Sequence, residues 1–313
     1  MPLGRARRDR VATIAAMSSL PSDPFSWPPA DADPQARAQI ARIEGLAAVF
    51  DREHAGVRVR WRRFGTDTRR PPLVLLHGGH GSWMHWLRNA EALSEGRTLW
   101  LPDMPGFNES DALPRSAPAE DPLQPLLAAL GGTLDQLVGT GTVIDLGGFS
   151  FGGLTAARFG AGRGAVRRLA LIGSGGHGTL RRMTVQMVNW RAAPDRDAER
   201  AALRHNLAAL MLHDASAIDE LAFAIHDISC HGTRFRSKEV SQSGGLQQAL
   251  ATMGVPTLLL WGEFDVTADP RPLVARLVAE GPEREGVVID GAGHWAQYER
   301  ADEVNTRLVG FFG

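Results

Sequence analysis

A serine between glycines is the feature of this chain best suited to covalent chemistry, since residues 148–152 read Gly-Phe-Ser-Phe-Gly. An apolar run precedes this motif, and the residues after it read as the start of a helix. A serine on a sharp strand-to-helix turn has a strained backbone that exposes its hydroxyl, and small flanking residues let strand and helix approach. The motif therefore predicts Ser150 as a nucleophile, and an incidental serine in a glycine-rich turn is the alternative.

A serine hydroxyl needs a base that takes its proton and an acid that orients this base. His294 follows the last apolar run of the chain, and Asp265 follows the run before it. The order nucleophile, acid, base is the order expected when the nucleophile lies on this kind of turn. The sequence therefore predicts a triad of Ser150, Asp265 and His294, with Glu263 and Asp269 as alternative acids.

The oxyanion that forms during attack on a carbonyl needs N–H donors in fixed positions. The N–H of Phe151, directly after the nucleophile, is one candidate. The second is expected in the loop at 77–82, His-Gly-Gly-His-Gly-Ser, where Gly79 is the first choice and His80 the next. Glycines let backbone N–H groups face inward without obstruction, although a plain strand-exit turn is the alternative for this loop.

These residues need a scaffold in which several strands end at one edge. From about residue 46 onward, short apolar runs alternate with helix-length segments. This alternation predicts an α/β fold with a mostly parallel sheet covered by helices on both faces, and an antiparallel hairpin at its edge. The predicted strands lie at 47–50, 57–61, 73–76, 98–101, 142–147, 169–172, 257–261 and 287–290.

One segment, 178–245, interrupts this alternation because it has two helical stretches and no convincing strand. An all-helical insertion between two core strands predicts a lid over the site. The predicted organisation is an N-terminal arm at 1–44, partly disordered, an α/β core at 45–177 and 246–313, and a helical lid at 178–245.

Composition describes an ordinary globular chain of 313 residues with 43% hydrophobic residues and a net charge of −1. The sequence lacks a basic stripe of the kind that predicts nucleic-acid binding. No apolar run approaches the roughly 18 residues that a membrane span needs. The single cysteine, Cys230, cannot form an internal disulfide, which favours a reducing, cytoplasmic location. His77, His80 and His85 lack partners at metal-ligand spacing, so no metal is predicted. Met17 is an alternative candidate for the first residue.

Five motifs together resemble the α/β-hydrolase fold family over about residues 46–313. They are the loop at 77–82, the turn at 103–106, the serine motif at 148–153, and the segments 261–265 and 293–295. The resemblance implies an eight-stranded core, a Ser-Asp-His triad, a small-molecule substrate, no cofactor and a homodimer as a candidate assembly. Serine at position 150 separates the chain from the dehalogenases and epoxide hydrolases of this fold, which use aspartate.

Within that family, residues 293–299 and the helical insertion look most like the meta-cleavage-product hydrolases, which cleave carbon–carbon bonds in vinylogous diketo acids. Those enzymes usually carry Asn before the serine and a substrate-binding Arg in the lid, where this chain has Phe149 and His226. Hydrolysis of a small ester, as in carboxylesterases, is therefore the favoured function. Carbon–carbon hydrolysis and non-enzymatic ligand binding are the alternatives. The candidate pocket residues are His80, Trp83, Trp190, His226 and Trp295.

Overall fold

The computed structural model describes residues 31–67, 69–114 and 121–313. In these ranges eight strands form one sheet in the order β1-β2-β4-β3-β5-β6-β7-β8. The strands are β1 (Ala48–His54), β2 (Val57–Phe64), β3 (Leu73–Leu76), β4 (Leu99–Pro102), β5 (Ile144–Phe149), β6 (Val166–Ile172), β7 (Thr257–Gly262) and β8 (Arg284–Ile289). Strand β2 is antiparallel to both of its neighbours, and the remaining neighbours are parallel. The predicted mostly parallel, eight-stranded sheet is confirmed.

Helices cover both faces of the sheet. The α-helices of the described residues are α1 (Pro34–Glu44), α2 (Ala90–Ser94), α3 (Gln124–Val138), α4 (Phe151–Arg163), α5 (Arg196–Asn206), α6 (Glu220–His231), α7 (Ser237–Gln242), α8 (Leu246–Met253), α9 (Pro270–Ala279), α10 (Ala296–Glu299) and α11 (Ala301–Phe312). Side chains alternate along a strand, so Leu73 and Leu75 of β3 enter one apolar core while Val74 and Leu76 enter the other. Burial of β3 on both faces explains why its sequence is a continuous apolar run.

Helix α1 lies at the end of the predicted N-terminal arm. Asp33 caps it through hydrogen bonds of 2.9 Å from the N–H groups of Gln35 and Ala36, and its Ile40 and Ile43 are buried. These residues of the arm are therefore a docked helix, because the apolar face of α1 has a partner in α6 that the local sequence does not reveal. Residues 1–30, including Met17, lie outside the described residues.

The segment 178–245, all of which is described, contains helices and no strand. Besides α5, α6 and α7 it has 3₁₀ turns at Trp190–Ala192 and Ala215–Ala217 and a π-helical turn at Leu207–Met211. It connects β6 with α8, and the polypeptide returns through α8 to β7, which lies between β6 and the edge strand β8. Its function as a lid remains a prediction.

Candidate active site

Ser150 lies on the turn between β5 and α4, with φ of 55° and ψ of −118°. This is a strained conformation for a residue with a side chain, and such strain concentrates at functional sites. A Cβ on Gly148 would collide with the carbonyl oxygen of Gly152, and a Cβ on Gly152 would collide with that of His77. Both glycines are therefore needed for the close approach of strand and helix that projects the serine beyond the sheet.

The structure brings the three predicted triad side chains into one hydrogen-bonded row. His294 Nε2 lies 2.8 Å from Ser150 Oγ, and His294 Nδ1 lies 2.8 Å from Asp265 Oδ2. A carboxylate can only accept, so Nδ1 donates to Asp265 and Nε2 is left to accept the serine hydroxyl. Asp265 and His294 are buried, and only small fractions of their surfaces, 1% and 4%, are exposed. The row is therefore a preformed route for a proton from the hydroxyl to the imidazole.

Thr267 is a site residue that the sequence reasoning missed. It donates to Asp265 Oδ1 from its N–H at 2.8 Å and from its Oγ1 at 2.7 Å. Burial acts to raise the pKa of Asp265, but the charge and hydrogen bond of His294 and the two bonds from Thr267 outweigh it and hold this pKa below its usual value. The local signal was the Asp-x-Thr spacing, which is typical of an Asx turn.

The two alternative acids lie elsewhere. Glu263 accepts a hydrogen bond from Arg271 at 2.9 Å, and Asp269 accepts one from Arg182 at 3.0 Å. Each carboxylate is thus engaged by an exposed arginine, and the carboxylate that reaches His294 is that of Asp265.

The two predicted oxyanion donors are neighbours. An ideal Cβ on Gly79 would lie 3.6 Å from the Cβ of Phe151 and would overlap the hydroxyl of Ser237. Among the described residues, neither the Gly79 N–H nor the Phe151 N–H has a hydrogen-bond acceptor. Phe151 is also the first residue of α4, where the helix dipole favours negative charge. The arrangement can bind an oxyanion beside Ser150.

His77 fixes the direction of the Gly79 N–H. Its Nδ1 donates to the Gly78 carbonyl at 2.8 Å, and its Nε2 accepts from the Met104 N–H at 2.9 Å. Because N–H and C=O point in opposite directions across a trans peptide, holding the Gly78 oxygen also aims the following N–H. These two bonds need a neutral imidazole, and burial lowers the pKa of His77 to about 4.

Two of the predicted pocket residues, His80 and His226, are imidazoles near this loop. His80 has a φ of 53°, and its pKa is lowered by burial and by the charges of Arg191 and Lys238. Burial lowers the pKa of His226 to about 4, and its Nε2 lies 3.6 Å from the Cys230 sulfur. Burial also raises the pKa of the Cys230 thiol to about 12, so this cysteine is an unreactive packing residue at neutral pH.

Trp83 and Trp295 require a correction, because the sequence predicted both as pocket walls and neither has exposed surface. The Trp83 ring lies 6.1 Å from Phe64 and 4.8 Å from the guanidinium of Arg62. Trp295 stacks on Tyr298 at 4.3 Å. Both indoles fill the interior beside the motifs that carry them, since a large aromatic ring next to a catalytic motif can equally be core.

Trp190 packs beside an ionic network in segment 178–245. Its ring lies 4.7 Å from His231, whose two nitrogens lie 3.1 Å from Asp227 Oδ1 and 3.0 Å from Glu199 Oε1. The hydrogen bond to Asp227 is the largest cause that raises the pKa of His231 to about 9. Asp227 is itself buried and also accepts from Arg196 at 3.1 Å. This network joins α5 to α6.

The described residues contain no group of three or more His, Cys, Asp or Glu side chains placed to hold a metal ion. None of their helices combines the length and the apolar character that crossing a bilayer requires.

Curated relatives cover most of the chain. A 2-hydroxy-6-oxononadienedioate/2-hydroxy-6-oxononatrienedioate hydrolase of Burkholderia vietnamiensis is 29% identical over 82% of this chain and 92% of that protein. The dihydrolipoyllysine-residue acetyltransferase component of the acetoin cleaving system of Pseudomonas putida is 31% identical over 83% of this chain and 68% of that protein.

Solved structures show the same fold. Carboxylesterase CesB of Bacillus subtilis matches with a TM-score of 0.69 and 20% identity over 88% of this chain and 95% of that one. The meta-cleavage product hydrolase CumD of Pseudomonas fluorescens matches with a TM-score of 0.63 and 21% identity over 84% of this chain and 97% of that one. The model of the alpha/beta hydrolase family matches residues 73–307, which include the whole row from Ser150 to His294. The chain belongs to the alpha/beta hydrolase family.

Proposed function

We propose that this hydrolase cleaves a small carboxylic ester through an acyl-enzyme formed on Ser150. The observation that carries the proposal is the row of two 2.8 Å hydrogen bonds from Asp265 through His294 to Ser150. A serine, a base and an orienting acid in this geometry activate the hydroxyl for attack on a carbonyl. The N–H groups of Gly79 and Phe151, which have no acceptor among the described residues, support the proposal as candidate donors to the tetrahedral intermediate.

In this mechanism His294 Nε2 takes the Ser150 proton while Oγ attacks the ester carbonyl carbon. The carbonyl oxygen becomes an oxyanion that accepts hydrogen bonds from Gly79 and Phe151. The imidazolium then gives its proton to the leaving alkoxide as the carbon–oxygen bond breaks. A water molecule, deprotonated by His294, attacks the acyl-enzyme and releases the acid. Asp265 holds the Nδ1–H tautomer and stabilises the positive charge on His294 in both half-reactions, and segment 178–245 acts as the lid.

Carbon–carbon hydrolysis is a second candidate because curated relatives are named as 2-hydroxy-6-oxononadienedioate/2-hydroxy-6-oxononatrienedioate hydrolases. Two side chains favour the ester reaction. Phe149 stands before the nucleophile, is 1% exposed and offers no polar group to a substrate. His226 occupies the position that the sequence comparison assigns to a lid arginine, and as a buried neutral imidazole it supplies no fixed positive charge for a carboxylate.

The test is hydrolysis of p-nitrophenyl acetate and butyrate by the wild type, by Ser150→Ala and by Ser243→Ala as a matched control at an exposed serine. We expect Ser150→Ala to lower kcat by at least about 10⁴-fold and Ser243→Ala to leave it within about twofold. A vinylogous 2-hydroxy-6-oxo acid, assayed in parallel, distinguishes the second candidate. Faster turnover of that acid than of both esters would overturn the ester proposal, and loss of neither activity in Ser150→Ala would overturn the mechanism.

A further inference from the structure

We propose that His85 is a positioning residue of the oxyanion site, which holds Gly78 so that the next N–H, that of Gly79, faces the developing negative charge. The inference rests on the proposed function, since it gives His85 a role only if Gly79 receives an oxyanion. His85 itself touches neither Ser150 nor a reacting atom, so it acts through the backbone of the loop at 77–82.

The geometry at Gly78 carries the proposal. The Gly78 N–H donates to His85 Nδ1 at 3.1 Å, while the Gly78 carbonyl accepts from His77 Nδ1 at 2.8 Å. Two imidazoles therefore hold both polar groups of one glycine. Glycine is required there, because a Cβ would lie 2.9 Å from the Phe149 ring and 3.3 Å from His85 Nδ1. A glycine has no side chain to restrict its backbone, so these two bonds set the orientation of both adjoining peptides.

The ring of His85 is itself held in place. It is 1% exposed, and a Cβ on Gly81 would collide with its Cε1. Its ring centre lies 5.3 Å from that of Phe149 and 5.0 Å from that of Trp295. Phe149 precedes the nucleophile and Trp295 follows the base in the chain. His85 thus connects the oxyanion loop to the two segments that carry Ser150 and His294.

The hydrogen-bond pattern also sets the tautomer of His85. Because Nδ1 accepts from Gly78, the proton of the neutral ring must lie on Nε2. Among the described residues this buried Nε2 has no partner. An unpaired buried N–H is unfavourable, so a side chain that only filled this space would be expected to be apolar. The hydrogen bond that Nδ1 accepts from Gly78 is therefore the contribution that distinguishes this imidazole from an apolar side chain. Burial, with smaller contributions from the surrounding histidines, keeps the pKa of His85 well below its usual value, so the acceptor persists at neutral pH.

The experiment compares His85→Asn with His85→Leu. The two replacements have nearly the same shape and leave the same space, but only asparagine can place an acceptor where Nδ1 was. We expect kcat for p-nitrophenyl butyrate to be about 10- to 100-fold lower in His85→Leu than in His85→Asn, with KM within about twofold. A trifluoromethyl ketone, which forms an oxyanion adduct with the nucleophile, should lose affinity in parallel with kcat. The methyl ether of the corresponding trifluoromethyl carbinol has no carbonyl group and forms no adduct, so it should bind both variants equally.

Equal kcat and equal ketone affinity in the two variants would show that the ring only fills space and would overturn the proposal. Thr133→Val, which removes the buried Trp61–Thr133 hydrogen bond of 3.1 Å elsewhere in the core, is the control for a purely structural loss. Nitrogen NMR of wild-type histidine side chains tests the tautomer without a variant, since a proton on Nδ1 of His85 would also overturn the proposal. If the wild type itself did not hydrolyse the esters, the proposed function, rather than the role of His85, would be refuted.

Discussion

Histidines with shifted pKa values lie in two regions of this molecule, and the two regions keep them in opposite charge states. Around the candidate site, His77 and His226 have a pKa lowered to about 4, and that of His85 is also well below its usual value. At the C-terminal end of α6, the pKa of His231 is raised to about 9 by Asp227 and the other groups of the ionic network. The first region uses imidazoles as neutral donors and acceptors, and the second uses one as a cation.

The difference follows from the partners that each region offers. Near the sheet edge the histidines meet backbone groups and apolar rings, and His77 is bonded to one carbonyl and one N–H. Such partners fix a tautomer without needing a charge. Between α5 and α6 the partners are carboxylates, which stabilise the imidazolium. At the site, neutral imidazoles therefore orient backbone groups, whereas the charged imidazole of His231 joins two helices of segment 178–245 through ion pairs.

The largest effect is expected from Asp265→Asn, which changes the tautomer of His294 at the site. The two donors of Thr267 hold the oxygen of the new amide, so its NH₂ faces His294 Nδ1. His294 must then accept at Nδ1 and carry its proton on Nε2, where it can no longer take the Ser150 proton. We expect kcat for p-nitrophenyl esters to fall about 10³- to 10⁴-fold with little change in unfolding midpoint.

Glu263→Gln is the matched control for that variant, because Glu263 is a neighbouring carboxylate that bonds Arg271 and the Gly291 N–H rather than His294. Its kcat should stay within about twofold of the wild type. An equal loss of kcat in both variants, measured at saturating ester, would mean that general electrostatics and not the His294 tautomer sets the rate.

Much of the fold was predictable because most strands of the sheet have a recognisable local sequence pattern. Strand β3 coincides with its predicted run, since both of its faces are buried and every residue must be apolar. The predicted boundaries of β1 and β8 were less accurate, because these edge strands contain exposed residues and are not continuous apolar runs. Helix α1 was predicted as part of an arm, because its stability depends on docking against α6.

At the candidate site, chain order and strand ends predicted the three side chains that the structure joins in one hydrogen-bonded row, Ser150, Asp265 and His294. The hydrogen bonds of Thr267 to Asp265 and of His85 to Gly78 were not predicted, because they depend on how the folded loops orient these groups. The tryptophans were misjudged for the complementary reason. An aromatic residue beside a motif can face the pocket or the core, and only packing decides between the two.

Asp227→Asn tests how much the ion pairs between α5 and α6 contribute to stability. The Asp227 side chain is 2% exposed and pairs with both Arg196 and His231, so the variant leaves two cations beside a neutral amide. We expect the free energy of unfolding to fall by about 2 to 3 kcal/mol, less than for a fully buried pair because Arg196 is about a third exposed. Urea denaturation measures this loss.

Glu220→Gln is the control within the same helix, because Glu220 pairs with Arg204 at an exposed position. Its loss should stay under about 1 kcal/mol. Similar losses for Asp227→Asn and Glu220→Gln would remove the distinction between a buried network and an ordinary surface pair.

The smallest effects are expected in the pH dependence of stability. Two histidines of α6, His226 and His231, should change the free energy of unfolding with pH in opposite directions. Between pH 6.5 and 4 the unfolded chain binds a proton at His226 that the folded chain does not, so stability falls as pH falls, by about 2 kcal/mol between pH 7 and 5. Between pH 6.5 and 9 the folded chain keeps a proton at His231 that the unfolded chain has lost, so stability falls as pH rises. Because His231 is about a third exposed, that loss should be only about 1 kcal/mol.

Urea titrations at several pH values measure both effects as a profile of unfolding free energy against pH. His226→Gln should flatten the acid side of this profile, and His231→Gln should flatten its alkaline side. If both variants flattened the same side, the two opposite charge states would be contradicted.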